Sequence, residues 1–160
     1  MKEPSASLAA ELVRRCKVAA LGTVHHGAPS VSMVPYAIIE DPFAFVVLVS
    51  ALSAHTKEMV EDPNVALMIM EPRPVRSRRI RLRVSRCRGG RNPSLRATRA
   101  LAQHARRYSA RFPDMVGLFE LSDFTLFAIA PATVRVIAGF AQAASITPAS
   151  IARSVRHAGQ

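Results

Sequence analysis

Four short apolar runs, each closed by a turn signal, limit what this chain can fold into more than any other feature. They are residues 18–24 (VAALGTV), 30–39 (SVSMVPYAII), 43–50 (FAFVVLVS) and 65–70 (VALMIM), separated by His25-His26-Gly27-Ala28, by Glu40-Asp41-Pro42 and by a polar stretch ending in Asp62-Pro63-Asn64. Runs rich in valine, isoleucine and phenylalanine between turn formers read as strands. The first three form a meander. Pro35 removes a ladder donor inside the second run, which predicts an edge or bulge where a ligand can approach the backbone. A fifth run, 79–84 (RIRLRV), alternates Arg with Ile, Leu and Val, and two more follow at 124–129 and 133–137 with Pro131 as a turn between them.

Helical spacing frames these strands. Leu8, Ala9, Leu12, Val13 and Cys16 share a face over residues 5–17, after serines able to cap the free amides. Residues 53–60 fit a short helix. Residues 94–111 place Leu95, Thr98, Leu101, Ala102, Ala105 and Tyr108 on one face, and Pro113 ends that helix. Six to seven mostly antiparallel strands with flanking helices predict an α+β barrel. Without repeats or linkers, residues 1–160 are expected to form one domain with its core at about 8–143 and a weakly ordered tail at 144–160.

Composition excludes several classes. No run approaches the ~18 apolar residues that cross a bilayer, and the opening segment lacks a secretory pattern, so a cytoplasmic protein without a membrane partner is expected. Cys16 and Cys87 sit in no metal-type or redox spacing and read as ordinary thiols. The net charge of +11 is local: fourteen of the 22 basic residues, all Arg, fall between Pro72 and Pro113, a stretch without Asp or Glu until Asp114. Nonspecific nucleic-acid binding through residues 73–99 is one reading. It is disfavoured because no aromatic residue stands between Pro72 and Arg107 to stack on bases.

The segment Ser50-Ala51-Leu52-Ser53-Ala54-His55-Thr56-Lys57 carries the chemistry. It follows a strand and opens a helix, and it gathers free amides, three hydroxyls and a cation within reach of one phosphate. Ser and Thr at such a place also serve as caps and turn formers, so spacing alone leaves both roles open. Elsewhere, His25 and His26 lie in a hairpin turn where no neighbouring Asp, Glu or Cys completes a metal set, and no metal is expected. Ser53 and His55 are too close along a turn to act as nucleophile and base. His104 and His157 read as solvated, with heme ligation a remote option. The methionines read as core filler. No catalytic acid or base is assigned.

Several blocks resemble the pyridoxamine-phosphate-oxidase-like FMN-binding family, above all the short form of its heme-utilisation branch. They are Ala20-Leu21-Gly22-Thr23-Val24, Gly27-Ala28-Pro29-Ser30-Val31-Ser32, Val34-Pro35-Tyr36-Ala37, Leu48 through Lys57, and Asp62-Pro63-Asn64-Val65-Ala66-Leu67. The C-terminal half adds Ala105-Arg106-Arg107-Tyr108, Asp123-Phe124-Thr125-Leu126 and Ala138-Gly139-Phe140-Ala141-Gln142-Ala143. The resemblance implies a split β-barrel homodimer that binds FMN at the subunit interface and acts on a small-molecule redox substrate. Ser50, Ser53, His55, Thr56 and Lys57 would contact the phosphate and ribityl chain, while the backbone of Ser32, Met33, Val34 and Pro35 would line the flavin ring. A flavin-dependent oxidoreductase follows, or else a module that binds flavin or heme without turnover. The chain has no Trp and lacks the C-terminal Arg-Leu-x-Pro signature, so oxidation of pyridoxamine phosphate is not expected. Between Pro72 and Arg99 the resemblance lapses at preserved spacing. Two compensating reading-frame slips would produce such a stretch, and translating the other frames of the coding DNA tests this by recovering a family-like strand or failing to.

Overall fold

The computed structural model describes residues 2–71, 79–89, 99–139 and 142–158. In chain order the elements are α1 (Lys2–Arg15), β1 (Val18–His25), β2 (Ala28–Pro35), β3 (Ala37–Glu40), β4 (Phe43–Ser50), α2 (Ala54–Glu61), β5 (Val65–Met70), β6 (Arg79–Gly89), α3 (Arg99–Arg111), a 3-10 helix (Pro113–Glu120), β7 (Phe124–Gly139), β8 (Gln142–Ile146) and α4 (Pro148–His157). All described strand pairs are antiparallel, in the order β2-β1-β5-β6-β7-β4-β3, with β8 added on β7. This is the expected α+β split barrel. The strands at the two ends of the order are consecutive in the chain and separated by Tyr36 alone. The sheet therefore curls until its edges meet there.

Tyr36 fixes that corner. It is fully buried, its N–H donates to the Lys17 carbonyl at 3.1 Å, its hydroxyl donates to the Val13 carbonyl at 2.9 Å, and its ring stands edge-on to Phe45 at 5.5 Å. Arg111, at the end of α3, donates to the same Val13 carbonyl at 3.3 Å and to that of Arg14 at 3.0 Å. A guanidinium thus satisfies carbonyls that the end of α1 leaves open.

The first hairpin turns on His26 (φ 47°) and Gly27 (φ 81°). Two positive φ angles in a two-residue loop make a type I′ turn, whose twist suits the flanking strands. The turn bonds His25 to Ala28, and hydrogen-bonded and open pairs alternate from there. Pro29 opposite Val24 and Pro35 opposite Val18 accordingly fall at open pairs. Neither proline costs β1 a hydrogen bond. Their missing donors face the outer edge of β2, which pairs with no described strand. The edge expected at Pro35 is present, and the same alternation directs the backbone groups of Val31 and Met33 onto it.

Burial divides the strands into two kinds. β4 is buried along both faces, as its unbroken apolar run requires: Phe45, Val47 and Val49 join the barrel core with Leu21, Leu67 and Ile129, while Val46 and Leu48 join a second core with Tyr108 beneath α3. β1 and β5 alternate, so one of their faces is open. β6 pairs along β5 and β7, with Ile80 and Leu82 in register with buried Ile69 and Leu67 and with Arg79 and Arg81 opposite Met70 and Met68. The backbone of 79–84 is thus a strand, as expected. The rest of the Arg-rich segment, 73–78 and 90–98, lies outside the described residues, as does the expected helix start at 94–98.

Three expectations need correction. The first three runs do not form one meander: the second is divided at Tyr36 into β2, which pairs with β1, and β3, which pairs with β4 at the other end of the strand order. Pro131 does not break the chain into separate strands: β7 runs through it, with register shifts against β6 at Val84 that absorb the missing donor. The tail does not fray either. β8 pairs with β7, and α4, capped by Thr147 through Ser150 N–H at 3.1 Å, buries Ile151 and Val155 in the main core. The sequence hid this because a 10-residue amphipathic helix shows only two or three apolar positions. No described helix is long and apolar enough to cross a membrane.

Candidate functional site

β4 ends at Ser50 and α2 begins at Ala54, so the residues between them carry the chain off the barrel wall. That turn is braced from within. Ser50 Oγ donates to Asp123 Oδ2 at 2.6 Å and accepts the Leu52 N–H at 3.1 Å. Ala51 N–H donates to the Asp123 carbonyl at 2.6 Å, and Thr56 Oγ1 donates to the Ser50 carbonyl at 2.7 Å. The hydroxyls of Ser50 and Thr56 are thereby engaged internally and shape the loop.

Ser53 differs from them. It occupies the N-cap of α2 with extended backbone (φ −69°, ψ 142°), yet its hydroxyl makes no capping bond, and the first turn holds no acidic residue. Of the first-turn amides, that of Thr56 donates to the Ser53 carbonyl at 3.2 Å, while those of Ala54 and His55 form the positive end of the helix dipole. Lys57 stands in the next turn, exposed and without an ion pair among the described residues. His55 Nε2 is buried with no hydrogen-bond partner among them. Burial lowers the His55 pKa, opposed in part by the Glu58 carboxylate, so the ring is neutral at neutral pH. An uncapped N-terminus, a hydroxyl, a cation and a ring nitrogen without partners among the described residues suit a phosphate monoester. Thr56 and Lys57 line a cleft of about 490 Å³ with Ala51, Val60, Glu61, Thr125 and Phe127.

The β2 residues of the expected site lie elsewhere. Val34 is buried in the barrel core and the Ser32 hydroxyl is buried without a partner among the described residues, and the backbone groups of both face β1, which leaves the free edge to those of Val31 and Met33. Met33 is 66% exposed and lines an apolar cleft of about 700 Å³ with Val18, Ala20, Met68 and Met70, flanked by Arg15 and Lys17. Met33 and Lys57 therefore line different clefts of one chain. Pro35 closes β2 beside the apolar cleft, opposite Val18.

The roles of two polar residues escaped the sequence reading. Asp123, which orients Ser50, lies 73 positions away, and no local signal joins them. Glu58 is buried and accepts a hydrogen bond from the buried Thr23 hydroxyl, which ties α2 to the wall of the barrel. A charged residue in a short polar helix gives no hint of burial.

The family description of pyridoxamine 5'-phosphate oxidase matches residues 7–138. The chain belongs to this family. No curated protein matches it. Among solved structures it is similar to a heme binding protein from Mycobacterium smegmatis, with a TM-score of 0.80 and 22% identity over 93% of this chain and 60% of that one. It is also similar to HutZ, the heme storage protein of Vibrio cholerae (TM-score 0.68, 23% identity, 81% of this chain and 89% of that one). A third is ChuZ of Campylobacter jejuni (TM-score 0.72, 19% identity, 88% and 58%). The chain thus spans about 60% of the length of the first of these relatives. In this member of the oxidase family the loop before α2 and the free edge of β2 are both formed by the fold itself, through the Ser50–Asp123 bond and the Tyr36 corner.

Proposed function

We propose that the chain is a homodimeric FMN-binding flavoprotein whose phosphate anchor is the start of α2. One observation carries the reading: α2 starts without a side-chain cap from Ser53 and without an acidic residue in its first turn, and Lys57 beside it has no ion pair among the described residues. Ser53 and the amides of Ala54 and His55 would donate to the phosphate, Lys57 would neutralise it, and the Ser50–Asp123 brace would hold the loop in place. Backbone groups of Val31 and Met33 on the free edge of β2 would meet the polar rim of the ring. Bound FMN supplies hydride or electron transfer, and the protein supplies position and exclusion of water.

The dimer reading rests on the outer face of β1, β2 and β5. Val31 (72% exposed), Met33, Met68 and Met70 form an apolar stripe there that no described helix covers. Such a stripe marks an association surface. The ring cleft lies on this face, so a second copy packed there would wall it.

The names of the similar heme proteins favour a second reading, a flavin or heme carrier in heme-iron utilisation without turnover. The visible spectrum of the purified protein, taken before and after addition of FMN, hemin and then a nicotinamide donor, tests both. Flavin bands that bleach with the donor support the oxidoreductase. A Soret band in place of flavin bands supports the carrier, and a folded protein that takes up neither refutes both.

A further inference from the structure

The tip of the β1–β2 hairpin presents two imidazoles, and the fold adds the acidic group that their sequence surroundings lack. Glu61, the last residue of α2, lies against the hairpin, and its Oε2 is 3.2 Å from His25 Nδ1. His26 stands beside His25 with ring centroids 4.1 Å apart. One donor atom from each of His25, His26 and Glu61 lies within 4.8 Å of the other two. We propose that these three residues bind a late first-row divalent cation, zinc, nickel or copper, with water completing its coordination.

The chemistry selects that class. Two imidazole nitrogens with one carboxylate oxygen suit zinc, copper and nickel, whereas magnesium and calcium take oxygen ligands. Tetrahedral bonds of about 2.0–2.1 Å set donor atoms roughly 3.3 Å apart. The His25–Glu61 pair already has this separation, and the His26 ring closes the remainder by rotating. All three side chains are exposed, so they move freely and lose little solvation on binding. The turn itself places the second ligand. A type I′ loop favours Asn or Asp before Gly, and here His26 takes that left-handed position. A bound cation would clasp the hairpin to the end of α2, a link that rests on no assumption about flavin.

The test uses tag-free full-length protein stripped with a chelator and titrated calorimetrically with zinc and, separately, magnesium. One zinc equivalent per chain is expected, with no magnesium binding at the same concentrations. Affinity should fall at least ~10-fold in His26→Asn and in Glu61→Gln, since even outer-shell changes cost that much. His26→Asn keeps a residue the turn favours, so its loss of binding cannot be ascribed to misfolding. His157→Asn, at the exposed end of α4, should bind zinc as the parent does. Zinc should also raise the melting temperature of the parent and of His157→Asn, and raise that of the two ligand variants less. Absence of a stoichiometric zinc site, or zinc binding unaltered in both ligand variants, overturns the proposal.

Discussion

Replacing Ser50 with Ala separates a residue that braces the loop from one that touches the ligand. The hydroxyl donates to Asp123 Oδ2 at 2.6 Å and accepts the Leu52 N–H at 3.1 Å, so both bonds vanish together. A hydrogen bond to a charged group contributes about 1.5–3 kcal/mol, and the half-buried Asp123 recovers some of that from water, which leaves a loss of about 1–2 kcal/mol. For a chain of this size each kcal/mol moves the melting temperature by about 2–4 °C, so the variant should melt roughly 2–8 °C lower. The assay is thermal unfolding by circular dichroism without any added flavin. The bracing role predicts that this loss appears in the ligand-free protein. Asp123→Asn, which keeps an acceptor for the hydroxyl, should lose less. If Ser50→Ala melts with the parent in the absence of flavin, the brace does not exist as described and Ser50 is free to be a ligand.

Thr23→Val keeps the side-chain shape but removes the donor to buried Glu58, and should cost about 1.5–3 kcal/mol in urea unfolding. Near-parental stability would mean that Glu58 finds water there. Burial lowers the pKa of both His55 and His104, so the unfolded chain takes up protons more readily than the folded one. Stability should therefore be level above neutral pH and decline as pH falls below about 6.5, the ordinary imidazole value. Urea midpoints across that window should fall less in His55→Gln than in the parent, and an equal fall in both would assign the effect elsewhere. Met33→Glu and Met68→Glu place charge on the open face of β1, β2 and β5 and should convert a dimer to monomer by light scattering, with circular dichroism unchanged. A parent that is itself monomeric refutes the dimer.

The strands were legible because valine-rich runs and turn residues act locally, and β1, β4 and β5 follow their patterns closely. Closure of the barrel was less so. It depends on Tyr36 meeting Lys17 and Val13, contacts that a one-dimensional pattern does not carry. The segment 50–57 was readable as a strand-to-helix junction rich in hydroxyls, but the division of labour within it was not. Only the structure shows Ser50 and Thr56 bonded inward while Ser53 makes no capping bond and Lys57 has no ion pair among the described residues, because Asp123 arrives just ahead of β7, far along the chain. The same limit applies at the hairpin. His25 and His26 lack a nearby carboxylate in sequence, and α2 brings Glu61 to them in space.

Fluorescence titration of FMN into the parent and Lys57→Ala tests the central claim most directly. Lys57 is exposed, so its removal should leave the fold intact, while loss of a charge-assisted phosphate bond of about 1.5–3 kcal/mol should weaken binding roughly 10- to 150-fold. The account predicts one FMN per parent chain and that loss in the variant. Equal affinity in the two proteins, or no FMN binding by the folded parent, would contradict it.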